Sequence, residues 1–459
     1  MPRLLPAILV AVTCAAAPPP SVDFRHGDLR VSDNHRFLVH ADGTPFFYLG
    51  DTAWEIFHRL NREDTEKYLE NRRQKGFNVI QSVALAEFDG LNAPNAFGEK
   101  PLTGNDPTTP NEAYFKHVDW VVNTARSKGL YIGMLPTWGD KVYPRNNTPV
   151  IFNAENARVY GRFLGARYKD APNIIWILGG DRPAPGVEAV WRAMAEGLKE
   201  GDGGRHLKTF HPNGRHSSGD WLHDEPWLDF NMLQSGHASK DFANYEMISK
   251  DYQRTPAKPV FDGEPRYDDH PVMGRPVDQP TIWFDDFDTR QAAYWAVFAG
   301  AFGHTYGVHP IWQFLTPDRK PVNRARHNWY DDLDLPAAFH LHHLRLLMES
   351  RPFLTRVPDQ SILVDAGTGP EHLQATRGQD YLFVYTPFSK KLVVNGGKIS
   401  GKRVRAWWFD PRTGVAKNLG TRTNEGQLDF TPPAGEGRGH DWVLVLDDEA
   451  KHFKAPGKP

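Results

Sequence analysis

The sequence predicts a (β/α)8 barrel followed by a small antiparallel β-sandwich. After residue 40, short apolar runs alternate with amphipathic helical segments, the pattern of a parallel sheet covered by helices. Eight such units over roughly 300 residues are what a barrel of this kind needs. Beyond residue 350 the helical period stops, and strand-like runs separated by turn residues recur, as in a sandwich. A chain of 459 residues exceeds one ordinary core, so a large domain plus a smaller one is expected.

Residues 1–17 have the form of a secretory signal, with Arg3, an apolar stretch too short to span a bilayer, and Ala15-x-Ala17 as a cleavage site. Export to a periplasm or the medium is therefore expected. Cys14 is the single cysteine and leaves with that segment, and Ala11-Val12-Thr13 is a poor lead-in for lipid attachment there. No later segment is apolar and long enough to cross a membrane. Residues 18–40 contain a strand-like stretch expected to join the C-terminal sheet. The barrel is assigned to 41–349, the sandwich to 350–448 and a loose tail to 449–459.

Within the barrel the expected strands are 46–50, 78–83, 131–135, 174–178, 208–211, 230–234, 259–262 and 303–308. The first helix is read as 65–75, with Asp64 as its cap and Gly76 as its stop. Segments 117–128, closed by Gly129, and 155–168 repeat the scheme. An open doubly wound sheet is the alternative, but no Gly-x-Gly-x-x-Gly follows the first strand. In the tail, the runs at 377–385, 404–414 and 442–446 read as strands and turns.

Composition narrows the function. The net charge of −2, without a long basic run, excludes a nucleic-acid footprint. Aromatic residues make up 12% of the chain, which suits sugar stacking and core filling alike. No His-Glu-x-x-His or Gly-x-Ser-x-Gly occurs, and 396–403 misses the phosphate-loop pattern. The run Phe339-His340-Leu341-His342-His343 reads as a solvated helix face, not a metal site.

The chemistry is carried by two stretches of one form. In Ile174-Ile175-Trp176-Ile177-Leu178-Gly179-Gly180-Asp181 an apolar strand ends at a carboxylate; Pro259-Val260-Phe261-Asp262-Gly263-Glu264 does the same 83 residues later. Strands 4 and 7 would thus deliver Asp181 and Glu264 to the C-terminal face, where barrel chemistry sits. Glycosidic cleavage needs one protonated and one ionised carboxyl facing each other, and no metal or organic cofactor. The alternative is structural: Asp181 capping a helix, Glu264 pairing with Arg266. Other candidates at strand ends are Asp51, Gln81, His211, Gln234 and His237 as hydroxyl ligands, and Trp54 and Trp138 as stacking surfaces. His304, Tyr306, His309 and Trp312 could line the floor and rim or belong to the core.

Gly50-Asp51-Thr52-Ala53-Trp54, Phe77-Asn78-Val79-Ile80-Gln81, Leu178-Gly179-Gly180-Asp181-Arg182-Pro183, Gln234-Ser235-Gly236-His237 and Gly263-Glu264-Pro265 together resemble apiosidase-like proteins, glycoside hydrolase family 140 and its relatives. The tail resembles the collagen-binding-type sandwich that those proteins carry. The resemblance implies a retaining glycosidase with Asp181 as acid/base and Glu264 as nucleophile. It also implies an oligo- or polysaccharide substrate, with β-apiose on rhamnogalacturonan II pectin as the best-known one. Another furanoside, a glucan, or a non-catalytic carbohydrate-binding role are the alternatives. Arg266 is a candidate to hold Glu264 ionised or else a surface ion-pair partner, and Arg182 opposes protonation of Asp181 while Glu264 favours it.

Overall fold

Continuous apolar strands must be covered on both faces, and the computed structural model covers them as expected. It describes residues 21–144, 149–274, 282–433 and 435–458; the signal segment and Cys14 lie outside these. The barrel strands are β1 (Tyr48–Thr52), β2 (Val79–Leu85), β3 (Tyr131–Thr137), β4 (Ile174–Gly179), β5 (Lys208–His211), β6 (Asn231–Gln234), β7 (Val260–Asp262) and β8 (Gly303–Tyr306). They pair in parallel in the order β5-β4-β3-β2-β1-β8-β7-β6. Pairing of β1 with β8, from Gly303 opposite Tyr48 to Tyr306 opposite Asp51, joins the two ends of the repeat and excludes the open sheet. Between β5 and β6 closure uses single bonds in place of a ladder: Asp229 N–H donates to the Lys208 carbonyl (2.9 Å) and Thr209 Oγ1 to that of Phe230 (2.6 Å). A two-residue strand, His216–Ser217, adds antiparallel to β6 at that seam.

Side chains on one strand alternate between the barrel interior and the surrounding helices. Tyr48 points inward, its ring 4.6 Å from that of Phe261, while Asp51 on the same strand points outward to Arg72 of the helix Arg62–Gln74. That helix begins three residues before the expected start, because the Asn61 side chain, not Asp64, accepts the cap bond from Asp64 N–H. Helices Glu112–Ser127 and Ala154–Tyr168 likewise open on Asn111 and Asn153.

The N-terminal stretch departs from expectation. Leu29–Val31, Leu38–His40 and Pro45–Phe46 form their own three-stranded antiparallel sheet and do not join the C-terminal one. The reason is aromatic packing: Phe24 and Phe46 meet Tyr131, where β3 begins, at 5.1 and 5.4 Å, so the segment plugs the barrel end opposite the C-terminal face.

The C-terminal region has a six-stranded antiparallel sheet and a two-stranded ribbon, Leu392–Asn395 with Gln427–Phe430. Alternation explains its position. Along Tyr381–Thr386, Leu382 and Val384 enter a small core with the ribbon, whereas Tyr381, Phe383 and Tyr385 enter the barrel's core cluster. Tyr385 stacks on Tyr294 (4.9 Å) and Phe383 on Phe298 (5.8 Å) of the helix Asp286–Phe298. The His340–His343 run is half-buried rather than solvated; His340 Nδ1 accepts from Arg290 (2.9 Å).

Candidate active site

Three consecutive residues at the end of β4 have left-handed φ: Gly179 (88°), Gly180 (122°) and Asp181 (55°). Only glycine fits the first position, since a Cβ on Gly179 would lie 2.4 Å from the His211 carbonyl oxygen. Asp tolerates this region better than most residues, and the turn aims its carboxyl into a cavity of about 240 Å³ at the C-terminal face. Glu264, after β7, lines the same cavity. Its backbone is fixed by Glu264 N–H to the Leu233 carbonyl (3.3 Å) and Gly236 N–H to the Glu264 carbonyl (3.0 Å).

His211 links the two acids. Its Nδ1 accepts the Asp181 N–H (3.3 Å), which leaves the proton on Nε2, and Nε2 lies 2.7 Å from Glu264 Oε2. His237 Nε2 lies 3.0 Å from Glu264 Oε1. Burial favours the neutral form of Glu264, but the two histidines outweigh it and hold the group well below the usual carboxylate range. Asp181 moves the other way: burial first, and then the charge of Glu264, raise it against Arg182 and His211, although Arg182 Nη1 is 3.1 Å from Asp181 Oδ2. Gln234 also hydrogen-bonds the Asp181 carboxyl. The two carboxyls are thus shifted in opposite directions, as general acid catalysis beside a carboxylate nucleophile requires.

Of the other expected residues, Trp54, Trp138, Gln234 and His237 line the cavity. Trp54 and Trp138 sit 5.3 and 5.7 Å from the His211 ring. Trp312 apart, the others do not line it, the fully buried His211 and His309 among them. Asp51 is fully buried on the helix side, where Arg72 Nε and Tyr68 Oη donate to it. Gln81 lies inside the barrel, donating to the Gly263 carbonyl (2.9 Å). Tyr306 Oη donates to Asp268 (3.0 Å). Arg266 turns to the helix Asp286–Phe298, where Nη1 donates to Gln291 (3.1 Å); the histidines, not Arg266, hold Glu264 down. His304 is buried beside Arg266.

Trp312 does line the rim, its ring 5.6 Å from that of Phe88. Phe88, Glu87, Tyr267, His270 and Asn323 complete the wall without having been expected. Glu87 and Phe88 follow β2, which runs two residues beyond its expected end; that ending made Gln81 look terminal and hid them. His270 stacks on His237 (4.2 Å) and meets His309 (4.1 Å), and burial, then these neighbours, keep it neutral.

One group among the described residues has metal-ligand spacing, Asp269, His327 and Asp332. Arg326 already pairs with Asp269, and His327 Nδ1 lies between the carboxylates at 3.4 and 3.1 Å, an ion-pair arrangement.

A parallel barrel with opposed carboxyls at its C-terminal face defines a sugar-cleaving enzyme, and similar structures agree. A solved glycoside hydrolase is 38% identical, covering 94% of this chain and 99% of its own, with a TM-score of 0.88. A glycoside hydrolase family 5 structure from Bacteroides vulgatus ATCC 8482 is 35% identical, covering 96% and 97%, also at 0.88. A rice (Oryza sativa subsp. japonica) mannan endo-1,4-beta-mannosidase 3 is 28% identical over 189 residues, and the chain spans 39% of that protein's length. The protein is a glycoside hydrolase. Residues 32–355 match the apiosidase-like catalytic domain, and the chain belongs to that family. Residues 357–447 match the family described as "Putative collagen-binding domain of a collagenase".

Proposed function

We propose that this chain is a secreted, retaining glycosidase of plant cell-wall polysaccharide that releases apiose from rhamnogalacturonan II pectin side chains. In this reading Glu264 attacks the anomeric carbon while Asp181 gives its proton to the departing oxygen, and water, deprotonated by Asp181, then hydrolyses the glycosyl–Glu264 ester. The observation that carries it is the opposed proton affinity of two carboxyls in one cavity, Glu264 held low between His211 and His237 and Asp181 raised by burial. His211 ties the pair together, since its Nδ1 and Nε2 serve Asp181 and Glu264 in turn. Trp54 and Trp138 offer stacking faces beside them.

Incubation with fractionated pectin should release apiose, with the anomeric configuration retained when the first product is followed by NMR. The similarity to a mannan-degrading relative makes β-mannan the second substrate to assay, alongside a glucan and an arabinofuranoside. Release of mannose-containing products instead of apiose would replace the sugar and keep the mechanism. Binding without hydrolysis of any of these would favour a carbohydrate-binding role. Secretion rests on residues 1–17, and N-terminal sequencing of protein recovered outside the cytoplasm should begin after Ala17.

A further inference from the structure

Glu87 is a third carboxyl in the cavity that holds Asp181 and Glu264. It lies on the loop after β2, half-buried, and no described residue donates a hydrogen bond to its side chain or pairs with it. A carboxyl that serves folding normally finds a partner when it leaves water; among the described residues this one has none, and it lines the cavity. We propose that Glu87 is a substrate-contacting residue, which as a neutral carboxyl hydrogen-bonds a hydroxyl of the sugar in the cavity, and that the ionised Glu264 beside it restricts that sugar to an uncharged one.

The surroundings support both halves. Glu55, Asp181 and Asp140 all act on Glu87 to keep it protonated, after burial itself. Lys141 opposes them, but its Nζ is 2.9 Å from Asp140 Oδ1. Glu55 is itself tied to His58 Nδ1 (2.7 Å) and Arg59 Nε (3.5 Å), and the Arg59 guanidinium otherwise covers the Phe88 ring at 4.9 Å. A protonated Glu87 donates one hydrogen bond and accepts others, the complement of a hydroxyl. A uronic acid would instead bring its carboxylate beside the ionised Glu264, and among the described residues no lysine or arginine lines the cavity to offset it. A like charge so placed disfavours the ligand.

This inference rests on the glycosidase reading but not on the identity of the sugar. Ligand-observed NMR titration of the full chain would compare D-apiose, D-mannose and D-glucose with D-galacturonic and D-glucuronic acid, for wild type, Glu87→Gln and Glu87→Ala. Thermal midpoints would confirm that the variants fold. Wild type should bind at least one neutral sugar at least about tenfold more tightly than either uronic acid. Glu87→Ala should weaken that sugar about tenfold, and Glu87→Gln, which still donates, by less than about threefold. Equal binding by Glu87→Ala, a uronic acid bound as tightly as the neutral sugar, or no neutral sugar bound by wild type would overturn the inference. Mannose or glucose binding that depends on Glu87, with none for apiose, would uphold it while removing the apioside reading.

Discussion

Arg290 and Asp441 meet in the seam between barrel and C-terminal sheet through two hydrogen bonds of 3.1 and 2.9 Å, while at the barrel mouth Glu87, Asp181 and Glu264 crowd one cavity. Both regions bury charge. In the seam each charge finds its opposite or a carbonyl: Arg351 is bidentate to Asp447 at 2.8 and 2.7 Å, and Arg356 donates to the Val297 and Ala301 carbonyls. At the mouth the carboxyls face one another, moderated by histidines. The chain can satisfy buried charge where packing is the only demand. The crowding at the mouth is the condition for two carboxyls to be shifted in opposite directions in one place.

The sharpest way to break this contrast is to neutralise the mouth. Glu264→Gln should lower kcat on the order of 10⁴-fold or more, and Asp181→Asn by about 10²–10⁴-fold. Asp181→Asn should not lower the thermal midpoint, because burial and Glu264 already disfavour its charge. Glu264→Gln should lower it at neutral pH, because the two histidines hold that carboxylate below its usual range. A large loss of stability in Asp181→Asn would mean that its carboxyl is satisfied like those of the seam. Next in size, Asp441→Ala should cost about 1–3 kcal/mol of unfolding free energy in a denaturant titration, since it takes two hydrogen bonds from the buried Arg290, which keeps Asp286 and His340, and the partner of Tyr385 Oη (3.1 Å). Turnover per folded molecule should be unchanged.

Much of this contrast was legible in the sequence, and the losses have one cause. Apolar runs stopping at Asp181 and Glu264 located the acids because a strand end and a carboxylate are both local signals. All eight barrel strands overlap their expected ranges. What a local pattern cannot give is direction. Asp51 and Arg266 sit near the right ends of the right strands, yet alternation sends Asp51 to Arg72 and the loop after β7 turns Arg266 to Gln291, both outside the barrel. A two-residue error at the end of β2 exchanged Glu87 for Gln81. His270 and Asn323 come from loops, where neither period nor punctuation marks the side that faces the cavity. The seam was invisible, because Arg290 and Asp441 are 151 residues apart and neither lies in a motif.

Smaller effects sharpen the account of the mouth. His211→Ala removes one of the two donors that hold Glu264 down, so its proton affinity rises. Since Glu264 must be ionised to react, the acid limb of the kcat/KM profile should move upward by about one pH unit, a difference of about 1.4 kcal/mol. The alkaline limb reports loss of the Asp181 proton. It should not fall, because His211 works to lower Asp181. An acid limb that stays in place would assign the low proton affinity of Glu264 to His237 alone.

The smallest effect belongs to the rim, where no charge is involved. Phe88 is half-buried, its ring stacked near Trp312, and both line the cavity entrance. Phe88→Ala removes a face on which a sugar can stack, worth about 1 kcal/mol, so KM should rise about fivefold. Its kcat should stay within about twofold, since stacking at the rim binds substrate and transition state alike. A fall in kcat with unchanged KM would place Phe88 with the reacting groups, and the division between a charged, reactive floor and an apolar, binding rim would no longer hold.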